Sequence, residues 1–415
     1  MSRRLLLLLS LVCAAAVGNL YFPQAITPLL AAGLRVSPDA AALAVTATQV
    51  GYTAGIVLLV PLGDRLPRRR FLVVLLVCTG LALLAAGCAP ALTPLVAASA
   101  LVGLTTVAAQ VVGPLAVGLV AADRRGAVVG ALLSGSTGGM LLARTFSGTL
   151  GTWLGWRAPY LVAAALALLL AVALASALPA VRPDAPGQSF PALLAEPLRL
   201  LCTEPELRRS CFYQATVFAG FSAVWTCLAL LLAGPAYRLG GQAVGMIALV
   251  GGATMLCTPL AGRLVDRRGP DPVNLVCMLG VLLSAAVLVL GSRGGVAGLA
   301  ALVLGTLLLD VSMQSGMVAN QARVYALRPD ARSRLNTAYM TCAYLGGSAG
   351  SWLGVRVWNR AGWGGVCALV AFLAALALAR HLPVLLRSSA GPTAPSSGER
   401  ARSRHPGEEE RGPAR

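Results

Sequence analysis

Of the fifteen acidic residues in the chain, Asp310 alone falls in the middle of a long apolar run, Leu307-Leu308-Leu309-Asp310-Val311. A charged side chain held in hydrocarbon costs roughly 2.5–3.5 kcal/mol on insertion scales, which makes such a residue a functional candidate by default. Thr306, Gln314, Met317 and Gln321 recur beside it at helical spacing and form a polar stripe. A carboxyl group at that depth can carry a proton or hold a polar ligand. The alternative is a structural ion or hydrogen-bond pair between helices. Arg144 is the only basic residue at comparable depth. It can bind an anionic or hydroxylated molecule, pair with Asp310, or serve as a packing arginine bonded to carbonyls of neighbouring helices.

Other polar positions repeat along apolar runs. Asn19, Pro23 and Thr27 recur every four residues, with Gln24 beside them; Thr46, Gln49 and Thr53 form a second row. Gln214, Phe218, Phe221 and Trp225 mix polar and aromatic side chains on one helical face, as do Asn336, Met340 and Tyr344. Aromatic walls carrying a few hydrogen-bonding groups suit a modest-sized organic ligand. Each stripe alone is more often plain helix packing; together they favour a pore.

The inventory excludes other chemistry. All 33 basic residues are arginine. A phosphate-binding P-loop and a Schiff-base nucleophile both require lysine, so neither direct ATP use nor that covalent chemistry is expected. The ten cysteines are scattered through apolar runs with no C-x-x-C pair, and read as buried thiols. The two histidines, His381 and His405, lie near the C-terminus, too far along the chain for a histidine metal site or proton relay in the core. No metal, no cofactor and no enzymatic activity are expected. The net charge of +18 comes from arginines in turns, without interleaved aromatics, so no nucleic-acid partner is expected.

The elements that must position these groups are membrane spans. The chain is 57% hydrophobic and 12% charged, with a mean hydropathy of +0.78. Soluble domains carry about twice that share of charge. Twelve apolar runs approach the ~20 residues a bilayer requires. Their expected limits are 5–31, 40–62, 71–89, 92–120, 127–150, 159–179, 208–233, 242–262, 273–291, 295–320, 335–357 and 363–386. The first run follows Arg3-Arg4 like a signal peptide, but it continues through Pro23 and Pro28 without a cleavage site. With the N-terminus inside, the inner turns hold twenty-one arginines before the tail is counted, against six on the outer side. That bias places both termini in the cytoplasm, in the inner (plasma) membrane.

The two halves of the chain echo each other. Asp64-Arg65 and Asp266-Arg267 lie 202 positions apart, each between two apolar runs. Asp123 and Asp330 lie 207 apart, and Gly155-Trp156 and Gly362-Trp363 repeat at the same 207. The organisation expected is an all-α membrane protein with two pseudo-symmetric six-helix halves, 1–180 and 208–387. A proline-bearing cytoplasmic linker, 181–207, joins them, and a disordered tail, 388–415, follows. The glycines Gly130, Gly135, Gly138 and Gly139, and Gly346, Gly347, Gly350 and Gly354, read as close-contact surfaces that seal or slide the interface between halves.

The stretch Val60-Pro61-Leu62-Gly63-Asp64-Arg65-Leu66-Pro67-Arg68-Arg69-Arg70 resembles the signature that the major facilitator superfamily carries between its second and third helices, with Val60 and Pro67 where glycines are usual. Gly262, Asp266, Arg267 and Gly269 match it in the second half. The glycine-rich fifth run through Arg144, Ser147 and Gly148, then Gly155-Trp156-Arg157, is similar to that of the bacterial drug, sugar and nucleoside efflux branch, as is Arg332-Ser333-Arg334-Leu335-Asn336. The resemblance spans about residues 5–386. It implies a monomeric secondary transporter that exports a small organic solute by proton antiport, with an uptake symporter or a non-transporting receptor as alternatives. It implies a proton-coupling role for Asp310 and a substrate cavity lined by Asn19, Gln24, Gln49, Gln110, Arg144, Gln214, Phe218, Trp225, Gln314, Asn336 and Tyr344. It implies an inner gate latched by Asp64, Arg65, Arg68, Asp266 and Arg267, the arginines pairing nearby or anchoring to lipid head groups. One departure stands out: the fourth run has Thr105, Thr106 and Gln110 but none of the arginine that many proton-coupled exporters carry there.

Overall fold

The computed structural model describes residues 2–120, 125–178, 190–328 and 331–389, and among these it is helical with no strand. Helix α1 (Arg3–Leu34) begins where the Ser2 hydroxyl accepts the Leu5 amide at 3.2 Å. It is followed by α2 (Pro38–Leu58), whose first residue is a proline preset for a helix start, then by a 3₁₀ turn at Pro61–Asp64 and α3 (Arg68–Gly87). The fourth span is not one helix. It breaks into α4 (Leu92–Thr105) and α5 (Ala108–Gly118). The Thr106 hydroxyl donates to the Ala16 carbonyl and accepts from the Asn19 amide, both at 3.1 Å, so the break is pinned to α1. Helices α6 (Arg125–Leu154) and α7 (Arg157–Ala177) complete the first half.

The linker contains a helix of its own, α8 (Phe190–Thr203), which tolerates Pro197 inside it. The second half runs through α9 (Pro205–Ala233), α10 (Gly241–Val250), a 3₁₀ turn at Gly251–Ala253, α11 (Thr254–Arg268), α12 (Pro270–Val289) and α13 (Gly295–Leu327). Last comes α14 (Arg332–Ser389), two spans joined at Gly362. The eighth span is therefore also broken, into α10 and α11. Nine helices among the described residues are long and apolar enough to cross a membrane. The second leg of α14, helix α6 and the α10–α11 pair bring the spans to twelve. The expected tail lies outside the described residues.

The repeat read from the sequence has a backbone counterpart. Gly155 and Gly362 both take positive φ, +84° and +59°, at the turn before the last span of each half. Each is followed by a buried tryptophan, Trp156 and Trp363. Only glycine takes this conformation without strain, so the turn chemistry is repeated along with the residue types.

Within each half the longest contact is a glycine seam. Helix α1 packs on α6 and α9 packs on the first leg of α14. A Cβ added at Gly135 would lie 2.6 Å from the Ser10 carbonyl, and Gly139, Gly346 and Gly350 sit still closer to Ala14, Ala215 and Ala219. The expectation that these glycines form the interface between halves is thus corrected. They let two helices of the same half approach backbone to backbone. Gly130 and Gly138 have no such neighbour.

Between the halves α6 packs on α10, α2 on α14 and α1 on α9. The bonds that cross lie toward the end remote from the arginine-rich turns. Gly148 abuts Gly241, the Thr145 hydroxyl donates to the Gly245 carbonyl at 2.7 Å, and the Thr46 and Ser351 hydroxyls meet at 3.2 Å. These two hydrogen bonds join the halves at the far end.

A cysteine pair tests this arrangement. With a protease site placed inside 181–189, oxidised Thr46→Cys/Ser351→Cys should hold the cleaved halves together on a denaturing gel. Gly130→Cys/Gly262→Cys should let them run apart. The reverse pattern would mean that the halves close at the opposite end.

Candidate functional site

Arg144, two thirds of the way along α6, projects between the halves and is wholly buried. Its Nε donates to Gln24 Oε1 of α1 at 3.0 Å. Its guanidinium lies over the Trp225 ring of α9, 3.8 Å from the centroid, with Tyr21 and Phe221 also within reach at 5.0 and 5.6 Å. A desolvated cation over such a ring gains about 2 kcal/mol or more. Trp225 in turn donates its indole N–H to Asp310 Oδ1 of α13 at 3.0 Å. Arg144 and Asp310 therefore do not touch. One indole stands between them, stacked on the cation by its face and bonded to the anion by its edge. Gly251, at the break between α10 and α11, makes room for the carboxylate: a Cβ there would lie 2.8 Å from Asp310 Oδ2.

The polar capacity of this cluster is only half used. Arg144 Nη1 and Nη2, Gln24 Nε2 and Asp310 Oδ2 are buried without a hydrogen-bond partner. Each such group carries a desolvation penalty of about 1–3 kcal/mol, more when charged. What sets this group apart is that the free atoms belong to one cation and one anion with an aromatic ring in contact with both, which gives a polar ligand both donors and an acceptor to bind.

An aromatic path leads from the cluster toward the arginine-rich end. Trp225 neighbours Phe221, Phe221 stacks on Phe218 at 5.5 Å, Phe218 meets Tyr344 at 5.2 Å, and Tyr344 meets Tyr52 edge-on at 4.5 Å. Gln110 donates to the Tyr52 hydroxyl at 3.1 Å. The path passes from the second half to the first at the Tyr344–Tyr52 contact. Gln110, Gln314 and Tyr344 are partly exposed, whereas the cluster at the head of the path is closed.

Of the positions expected around the cavity, the structure brings Gln24, Arg144 and Trp225 to Asp310, and Gln110, Phe218 and Tyr344 to the path. It places others elsewhere. Asn19 is used by the Thr106 break inside the first half. Gln214 accepts from the Tyr339 hydroxyl at 2.9 Å inside the second half, and Asn336 accepts from Tyr325 at the same distance. Thr27 bonds its own helix at the Pro23 carbonyl. Sequence reasoning did not single out Tyr21, Tyr52 or Gly251. The signal available was spacing: Tyr21 lies three residues before Gln24, and Tyr52 three after Gln49.

The gate residues take varied positions. Arg68 is buried, Arg65 is partly buried, and Asp266 and Arg267 are exposed at the end of α11. The Asp64 side chain lies outside the described residues. A second ionic cluster was not anticipated. Arg209 meets Glu206 at 2.6 Å and Asp271 at 3.2 Å, and Arg323 pairs with the same two acids. His381, read from the sequence as peripheral, is fully buried beside them. Its ring nitrogens bond the Tyr213 hydroxyl at 3.1 Å and the Asp271 carbonyl at 3.0 Å.

The Major Facilitator Superfamily model matches residues 7–351. The uncharacterized transporter YgaY of Escherichia coli O157:H7 is 35% identical over 367 residues, covering 88% of this chain and 92% of its own. The chloramphenicol resistance protein of Streptomyces lividans is 30% identical over 275 residues, covering 66% and 69%. Among solved structures, the nucleoside transporter NupG, crystallised as a point mutant, superposes with a TM-score of 0.74 at 13% identity, covering 91% of this chain and 98% of that one. A bacterial homolog to the human lysosomal transporter Spinster, inward-facing and unoccupied, gives 0.68 at 15%, covering 94% and 96%. At these identities the structural likeness concerns the fold.

The indole bridge predicts a graded response to substitution. Arg144→Leu should lower stability by about 3–5 kcal/mol, since it leaves a buried carboxylate without its counter-charge. Trp225→Phe keeps a ring under the guanidinium and removes one bond to Asp310, so the loss should be nearer 1–3 kcal/mol. The double change Arg144→Leu/Asp310→Leu should recover most of the first loss. Additive losses in thermal unfolding would show that the two charges are independent.

Proposed function

The chain belongs to the Major Facilitator Superfamily, and on that premise we propose that it exports a small organic solute in exchange for protons. It is a membrane-embedded transporter, and the groups between its halves supply the means. The observation that carries the coupling is the position of Asp310: buried at mid-span, bonded on one oxygen to Trp225, unpartnered on the other, and facing Arg144 of the opposite half across one ring. A proton added to or taken from this carboxyl changes the charge balance at the junction of the halves. It thereby biases the junction toward one of two arrangements. The similarity to a chloramphenicol resistance protein supports export of an aromatic, drug-like solute.

Alternating access then follows from the way the halves meet. The described arrangement bonds the halves at the far end; the proposal is that they part at the arginine-rich end, which on the arginine distribution faces the cytoplasm of the plasma membrane, with both termini on that side. Solute and proton reach the cluster along the aromatic path. In the opposite arrangement the far end opens, and the basic turns with Asp64, Arg65, Arg68, Asp266 and Arg267 close the inner side. Lipid surrounds the outer faces, and a single chain holds the whole site.

Asp310→Asn preserves size and the indole bond while removing titration. In proteoliposomes, with chloramphenicol as the first solute tried, it should still exchange solute across the membrane. It should not accumulate solute under a pH gradient. One pH unit is worth about 1.4 kcal/mol per proton, roughly a tenfold concentration ratio, so the loss is easily measured. Wild-type accumulation in Asp310→Asn would remove the coupling role, and accumulation of solute with the proton flow would make the protein a symporter.

A further inference from the structure

The unpartnered atoms around Arg144 and Asp310 are sorted by chemistry, and the sorting points to a class of solute. At Arg144 the unpartnered atoms are donors: its own two terminal nitrogens and Nε2 of Gln24, held together because Gln24 Oε1 accepts from Arg144 Nε. Across the Trp225 ring stands an acceptor, Asp310 Oδ2. The surface between and beside them is aromatic, with Tyr21, Phe221 and Trp225 around the guanidinium. The cluster holds one positive and one negative charge. The other buried arginine and histidine side chains among the described residues, Arg68, Arg209, Arg323 and His381, lie at the arginine-rich end.

From this arrangement we propose that the solute is an aromatic molecule without net charge, carrying a hydrogen-bond acceptor at one end for Arg144 and Gln24 and a hydrogen-bond donor at the other for Asp310. The acceptor class covers carbonyl, nitro and, in a zwitterion, carboxylate groups; the donor class covers hydroxyl and amine. A monoanion would satisfy Arg144 but present no donor to Asp310, and with the carboxylate ionised it would leave the site with net negative charge in a low-dielectric surround. A monocation would satisfy Asp310 and leave the guanidinium facing it unbalanced.

The proposal rests on the antiport reading and sharpens it. For exchange, solute and proton must exclude each other at one group. A solute donor needs Oδ2 as an acceptor; a proton on Oδ2 turns that atom into a donor and ends the bond. A solute recognised only by its acceptor or its negative charge would instead bind better beside a protonated Asp310, and would travel with the proton.

Four probes on one para-disubstituted benzene ring test the assignment by saturation-transfer NMR on the full chain in detergent, with no membrane gradient. Para-hydroxyacetophenone has both the acceptor and the donor. Para-methoxyacetophenone lacks the donor, para-ethylphenol lacks the acceptor, and para-acetylbenzoate is an anion without a donor. A hydrogen bond to a charged group is worth roughly a factor of ten or more in affinity. The bifunctional probe should therefore bind about tenfold tighter than either single-function neutral probe, and tighter than the anion. Asp310→Asn should remove its advantage over the methoxy compound alone, and Arg144→Gln its advantage over ethylphenol alone. Arg144→Lys keeps the buried charge but not the paired terminal nitrogens, and serves if Arg144→Gln does not fold. Preference for the anion, or equal transfer to all four probes, absence of binding included, overturns the solute class. Neither result involves a proton gradient, so the outcome stands apart from the accumulation assay that tests antiport.

Discussion

The organising constraint is a pair of opposite charges in hydrocarbon that are held near each other without being allowed to meet. A direct Arg144–Asp310 salt bridge would satisfy both groups and tie α6 to α13 across the junction of the halves. In the structure the Trp225 indole takes both contacts instead, the cation on its face and the anion on its N–H edge. Each charge keeps one anchor and one free side: Arg144 is fixed by Gln24 and the ring, Asp310 by the indole N–H. The rest of the junction serves this spacing. Gly251 gives the carboxylate room, the broken helix between α10 and α11 brings that glycine to it, and the Thr145–Gly245 bond fixes α6 against α10 nearby.

The two halves use the same backbone devices for different chemical ends. Each has a glycine seam between its first and fifth spans, and each has a positive-φ glycine followed by a buried tryptophan before its last span. Yet the basic member of the central pair comes from the first half and the acidic member, with its tryptophan, from the second. The repeat supplies a shared scaffold, and the divergence of a few inward-facing residues supplies polarity to the junction. A symmetric pair of like charges in the same position would repel and keep the halves apart.

Much of this was readable from residue types because the environment is so unfavourable to charge. Asp310 and Arg144 stood out since nothing else charged lies at their depth, and the span count and the repeat followed from apolar run length and spaced landmarks. What lies between the two was not readable. In a chain that is apolar on every helical face, periodicity does not say which aromatic ring points inward, so nothing singled out Tyr21 and Tyr52. Six of the eight glycines are contact surfaces as read, but against another partner, because a small residue states that something is close and not what it is; Gly130 and Gly138 have nothing close at all. The arginine-rich end hid its own detail. An excess of positive charge explains Arg209 and Arg323 as topology markers, and so masks the pairing of both with Glu206 and Asp271.

That pairing has a mechanical consequence. Glu206 and Arg209 belong to α9, Asp271 to α12, Arg323 to α13 and His381 to α14, so four helices of the second half are riveted together at one level. Both halves carry one broken span, at Thr106 in the first and between α10 and α11 in the second. In the second half the rivet passes the broken span by: α9, α12, α13 and the second leg of α14 are fastened to one another, and the α10–α11 pair, which carries Gly251 to Asp310, is left out of the fastening.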